Sequence, residues 1–273
     1  MRFVSRALRS NLRISFAHWA FNSRRPLDAV RFGPLGGVRG GAPEKQKMLH
    51  YTDEFETDAL HVIRHNIGSF GVNTYFLICK RTHEAAVIDP GGEVETLVAR
   101  LNKEGAHVSR MLFTHAHIDH IYGAEALKKA LPDALVTYHI LDQPVVDSTP
   151  SMCEMFRVPL CRMPAMDRDL SQEPEFSIGN LQIRTILTPG HTPGGVCFYI
   201  AENKLCFTGD TLFRGSVGRT DFEGGSGFEL RKSLDRLLEI IPDDVQILPG
   251  HGKYSTMGNE KATNFYFRVD RWR

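Results

Sequence analysis

Four side chains of metal-ligating type crowd into six positions of this chain: His115, His117, Asp119 and His120, in the run Thr114-His-Ala-His-Ile-Asp-His. They follow the apolar run RMLFT at 110–114, where a backbone leaving a sheet lets side chains converge on one point. Neutral imidazoles and carboxylates are the usual ligands of borderline divalent metals, zinc among them. A lone histidine in such a loop is more often structural, and an isolated His-x-His is weak evidence. Recurrence is what constrains the fold. His191 in TPGHTPGG, Asp210 in FTGDTLF and His251 in LPGHGKY each follow an apolar run and are flanked by glycine, which lets the backbone turn tightly enough to aim a side chain inward. Independent ligand-type residues at successive loops mark a metal site. The other histidines, His18, His50, His61, His65, His83, His107 and His139, lack this context.

The elements between these loops alternate in kind. Short apolar runs at 59–65, 73–80 and 84–90 read as strands, the last ending in a Pro-Gly-Gly turn. Residues 93–104 carry apolar side chains at 94, 97, 98 and 101, the spacing of an amphipathic helix, which Gly105 ends. A strand at 110–114, a helix at about 122–131 and the strand ALVTYH follow, then an irregular Met- and Pro-rich stretch at 144–170. Strands at 181–188, 195–200 and 204–209, a helix at 227–241 and a strand at 245–249 complete the pattern. Two sheets packed face to face, with helices outside and polar strand ends meeting along one edge, satisfy it. The expected class is α/β, a four-layer αββα sandwich over residues 57–268.

Charge and cysteine content narrow the partners. A net charge of +1 supplies no field for nucleic acid or anionic membrane, and no run of 18 apolar residues crosses a bilayer. The five cysteines, Cys79, Cys153, Cys161, Cys197 and Cys206, form no C-x-x-C pair and sit mostly in apolar runs, as buried thiols of a reducing compartment do. The N-terminus differs from the rest. Residues 1–43 hold eight arginines, no lysine and a single acid, Asp28, before and within the Gly/Pro-rich stretch FGPLGGVRGGAP. Arginine-rich, serine-containing and acid-poor, residues 1–45 read as an organelle transit segment with its linker, which points to the mitochondrial matrix or another organelle reached by such a segment; a basic tail on a cytoplasmic protein is the alternative.

The ordered motifs T-H-x-H-x-D-H, G-H-T-P-G, G-D-T and P-G-H-G resemble those of the metallo-β-lactamase superfamily over about 57–268. Within it, GDTLFRGSVGRTDFEGG looks like the glyoxalase II-like thioester hydrolases, above all their short, single-domain bacterial branch. The resemblance implies that His115, His117 and His191 hold one metal and that Asp119, His120 and His251 hold a second, with Asp210 bridging. Zinc is expected, with iron or manganese as alternatives. It also implies hydrolysis of a small-molecule thioester, S-lactoylglutathione in particular, by a metal-bridging hydroxide that Asp119 and Asp210 orient, in a monomer or homodimer. The second reading is a mononuclear iron persulfide dioxygenase, which resembles this chain in the same motifs, including Gly218 to Phe222, and whose iron would use His115, His191 and Asp210. A non-catalytic scaffold of the fold would be expected to lack ligands, and here all are present.

Positions that contact the glutathione glycine in the larger enzymes fall at Arg219 and Asp221. Arg219 can grip a substrate carboxylate, which Asp221 would oppose, or the two can pair and brace the loop. Met152, Met155, Met163 and Met166 with Phe156 can line an acyl pocket or serve as adaptable packing. The aromatics of NEKATNFYFR are expected to pack back on the domain.

Overall fold

The computed structural model describes residues 51–67 and 70–268; the transit-segment expectation lies outside these residues. Sheet formation starts with β1 (Tyr51–Glu56), β2 (Leu60–Ile67), β3 (Val72–Cys79) and β4 (Glu84–Ile88), an antiparallel meander. β5 (His107–Leu112), β6 (Leu135–Tyr138) and β7 (Arg168–Asp169) extend it in parallel to seven strands in sequential order. Helices fill the crossovers: α1 (Val94–Glu104) before β5, α2 (Ile118–Ile121) and α3 (Ala124–Ala130) before β6, and α4 (Gln143–Phe156) before β7. The second sheet runs from β8 (Glu175–Ile178) through β9 (Leu181–Leu187), β10 (Val196–Ile200) and β11 (Leu205–Gly209). After the hairpin β12 (Leu212–Phe213) and β13 (Ser216–Val217) and the helix α5 (Gly227–Ile240), it closes with β14 (Gln246–Pro249) and β15 (Ser255–Thr256). α6 (Met257–Thr263) and α7 (Phe265–Arg268) end the described chain.

Strand periodicity builds the layers. Successive side chains point to opposite faces, so Val62 and Leu77 face the second sheet while Ile63 and Phe76 face the helices. Between the sheets, Val62, Leu77, Ile88 and Leu112 meet Phe176, Ile183, Phe198 and Phe207. Outside the first sheet, Phe76, Val87 and Met111 pack with Leu97 and Leu101 of α1 and Leu127 of α3. Outside the second, Ile186, Cys197 and Ile247 pack with Leu230, Leu234 and Leu237 of α5. Burial on both faces is why β3 reads as a continuous apolar run and not as an alternation. The result is the expected αββα sandwich.

Differences from the sequence pattern have local causes. The first sheet starts before residue 57: β1 pairs with β2 along its full length, and its charged Asp53, Glu54 and Glu56 hide it from an apolar search. Within the expected irregular stretch, α4 forms despite Pro150, because Val145, Thr149 and Cys153 bury one helical face. The helix expected at 122–131 is α3 alone, preceded by the short α2, which carries Asp119 and His120. At the C-terminal end Tyr266 and Phe267 pack against the core under α5, but Phe265 is exposed. All five cysteines are free and buried, as expected. Among the described residues no helix is long and apolar enough to cross a membrane.

Candidate metal centre

Loops at one edge of the sandwich bring all seven sequence-selected residues together. His115 lies just past β5, His117 caps α2, and Asp119 and His120 lie within α2. His191 follows β9, Asp210 follows β11 and His251 follows β14. None is more than 5% exposed. The flanking glycines act as the sequence suggested: Gly190 and Gly209 have φ of 134° and 47°, and a Cβ at Gly250 would stand 2.4 Å from Asp210 Oδ1.

The ligand atoms sort into overlapping groups, each spanning no more than 4.8 Å: His115, His117 and His191; Asp119, His120 and His251; and His115, His120 and Asp210. In the first group His117 Nδ1 lies 2.9 Å from His191 Nε2. In the second, His251 Nε2 lies 3.0 Å from Asp119 Oδ2, and His120 Nε2 lies 3.6 Å from the same oxygen. Asp210 stands between them, with Oδ1 at 3.3 Å from His120 Nε2 and Oδ2 at 3.6 Å from His191 Nε2 and 3.7 Å from His251 Nε2.

Outer partners fix which nitrogen faces inward. His120 Nδ1 meets Asp89 Oδ2 at 2.9 Å, His191 Nδ1 meets the Arg219 carbonyl at 2.7 Å, and His251 Nδ1 meets the Gly71 carbonyl at 3.3 Å. Such contacts set the tautomer and leave Nε2 free to bind. Asp89 is itself held by the Thr114 amide at 2.8 Å and the Thr114 hydroxyl at 2.6 Å.

Electrostatics divide the cluster. Burial pushes His115 well below its ordinary pKa, helped by the neighbouring imidazoles, and takes His117 down to about 3 and His191 down as well. Burial opposes charge on His120 too, but Asp119, Asp89 and Asp210 outweigh it and hold that imidazole well above its usual range. His251 is raised likewise, with Asp210 and Asp119 overcoming burial.

The donor set fits divalent cations. His115 Nε2, His120 Nε2, Asp119 Oδ1 and Asp210 Oδ1 are buried and make no hydrogen bond among the described residues. Buried polar atoms are normally satisfied, so four orphans facing one small volume of imidazole and carboxylate donors are the arrangement a cation completes.

Arg219 and Asp221 take the pairing alternative. The guanidinium binds the Asp221 carboxylate through two bonds of 2.6 Å and lies 4.1 Å over the Phe222 ring. What reaches the cluster from Arg219 is its backbone carbonyl. Phe222 in turn sets its ring against His117, centroids 5.6 Å apart. Met152, Met163, Met166 and Phe156 are partly buried against the core outside the first sheet, while Met155 is exposed. Sequence reasoning missed Asp89 and Phe222; the acid ending the apolar run EAAVID was the available signal for the first.

These features define a metallohydrolase-type site on an αββα scaffold, and comparison with known proteins agrees. The sequence profile of the Metallo-beta-lactamase superfamily matches residues 67–251, and the chain belongs to that superfamily. Its relatives include the hydroxyacylglutathione hydrolase GloC of Haemophilus influenzae, 36% identical over 69% of this chain and 89% of GloC. The crystal structure of TTHA1623 in a di-iron-bound form is 35% identical, with TM-score 0.67 over 74% of this chain and 98% of that one. The structure of ETHE1 from Myxococcus xanthus is 25% identical, with TM-score 0.56 over 71% of this chain and 78% of that one.

Proposed function

We propose that this chain is a binuclear metallohydrolase that cleaves a thioester, with S-lactoylglutathione as substrate and D-lactate and glutathione as products. The observation that carries this reading is the division of one buried cluster into a three-histidine group and an Asp119, His120 and His251 group, with Asp210 turned to both. On it His115, His117 and His191 would hold one ion and Asp119, His120 and His251 the other, with Asp210 available to either. Zinc suits these donors, and iron and manganese are alternatives, iron being what the TTHA1623 structure holds. Ions so held would supply a water of near-neutral pKa and polarise the substrate carbonyl.

The chain's own residues then orient and exclude. Asp119 Oδ1 makes no hydrogen bond among the described residues and Asp210 Oδ1 has His120 Nε2 at 3.3 Å, so each carboxylate has capacity to accept from the attacking water and aim it at the acyl carbon. Burial favours the neutral acid at Asp210, but His251 and His120 outweigh it and hold the carboxyl well below the usual carboxylate range. Phe222 walls the His117 side with an apolar ring edge. Water adds to the acyl carbon and gives up a proton to the Asp119 or Asp210 carboxylate; the tetrahedral adduct then breaks its carbon–sulfur bond, releasing the acid and a thiolate whose pKa of about 8.5 lets it leave before it takes up that proton. The kinship with GloC supports glutathione as that thiol. Residues 1–45 direct the protein to the mitochondrial matrix on this proposal, and diffuse cytoplasmic fluorescence of a fusion bearing them would count against it.

The test is metal content of the full chain measured beside thioester hydrolysis and oxygen uptake on glutathione persulfide. About two ions per chain, with hydrolysis lost in His117→Ala, is the expected result. One iron with persulfide-dependent oxygen consumption and no hydrolysis would replace it with the persulfide dioxygenase.

A further inference from the structure

The three-histidine group is assembled from loops of different sheets. His115 and His117 follow β5, His191 follows β9, and the 2.9 Å approach of His117 to His191 tolerates little drift between them. One carboxylate spans both loops. Asp142 Oδ2 accepts the Ala116 amide at 2.8 Å, between His115 and His117, and the Thr192 hydroxyl at 3.0 Å, beside His191. Its Oδ1 accepts the Gly194 amide at 2.6 Å.

Two features mark this as a built contact. Asp142 occupies the N-cap position of α4, where an aspartate ordinarily accepts from the helix's own first-turn amides; its side chain makes no such bond. Approach is also open only to glycine on the far side, since a Cβ at Gly194 would stand 2.5 Å from the Asp142 amide nitrogen and 2.8 Å from Oδ1. Asp142 is 1% exposed, so burial raises its carboxyl to about 6 while its three donors work the other way.

We infer that Asp142 is a positioning residue for the three-histidine half of the metal centre, holding its two loops at ligating distance. The inference rests on the two-metal reading above. Asp89 touches a ligand ring directly, whereas Asp142 acts only through backbone and the Thr192 hydroxyl. Asp142→Asn keeps the shape but loses one acceptor: whichever way the amide turns, an N–H faces the N–H of Ala116 or of Gly194.

The experiment titrates zinc into full-length chains carrying Asp142→Asn in two backgrounds. With only the three-histidine half left, in His251→Ala, the substitution is expected to weaken zinc binding by about 10–100-fold. With only the other half left, in His117→Ala, the change stays within about twofold. Equal losses in both backgrounds, or none in either, overturn the inference. Thr192→Val is the milder second variant and Thr192→Ser, which keeps the hydroxyl, the rescue. Amide hydrogen exchange in the zinc-free chain supplies a readout independent of metal: Ala116 and Gly194 exchange faster in Asp142→Asn, and the Thr114 amide held by Asp89 does not. Faster exchange without zinc binding in any chain would sink the two-metal reading and leave the brace standing. Unchanged exchange at Ala116 and Gly194 sinks the brace whatever zinc does.

Discussion

The two ligand groups of the candidate metal centre are built on different principles. The His115, His117 and His191 half consists of imidazoles that burial keeps neutral, and its loops are braced through Asp142. The Asp119, His120 and His251 half compensates its own charge: carboxylates raise the pKa of both histidines, and its brace, Asp89, bonds directly to His120. One half is made ready by placement, the other by charge pairing. Burial opposes charge on His120 and His251, but the carboxylates around them favour the protonated imidazoles, whereas no such balance favours protons on the three-histidine group.

The largest test of this contrast is His251→Ala beside His117→Ala. Each is expected to lose hydrolysis entirely and to retain about one ion per chain, counted by elemental analysis. Loss of both ions in either variant would make the halves a single unit. Next in size is Asp89→Asn, which turns an N–H toward Thr114 or His120; zinc affinity of the second half, measured in His117→Ala, should fall by about 10–100-fold with the first half unaffected.

A smaller effect lies in pH. A histidine raised above its unfolded value binds a proton more tightly in the folded, ion-free chain, so zinc must displace that proton, and binding weakens as pH falls. Histidines already lowered, such as His117 at about 3, have no proton to release near neutrality. Zinc affinity of the second half should therefore drop from pH 8 toward about 6, while that of the first stays nearly flat. Calorimetry in buffers of differing ionisation enthalpy reads the protons released, and equal release from both halves would end the electrostatic contrast. Smallest is Asp221→Asn, which frees Arg219 from its bidentate partner. An exposed ion pair is worth at most about 1 kcal/mol, so a fall of no more than about fivefold in KM for a carboxylate-bearing thioester is expected, with kcat unchanged. A rise in KM would mean that Asp221, and not Arg219, meets the substrate.

The candidate ligands could be picked out in the sequence because their chemistry leaves few alternatives. His115, His117, Asp119 and His120 sit just past an apolar strand, and His191, Asp210 and His251 repeat that placement beside glycines, a pattern that polar surface loops do not share. Layer order was legible for a related reason: β3 and β10 are buried on both faces, and a strand with two apolar faces needs cover on each side. Other elements were hidden by competing signals. β1 carries charges along an edge, and α4 contains Pro150, which local propensity counts against a helix.

What the sequence determined by itself is which residues have metal-ligating chemistry and that they come soon after apolar strands, since both follow from side-chain type and local periodicity. What only the tertiary structure decided is how they are held. Asp89 and Asp142 are single acids in unremarkable contexts, and their roles come from contacts 25 to 52 residues away along the chain. Arg219 and Asp221 could face a substrate or each other, and the fold turns them to each other. The physical reason is the same in each case: a carboxylate acts through the donors within about 3 Å of it, and which donors those are is settled by the packing of two sheets, not by the neighbours in sequence.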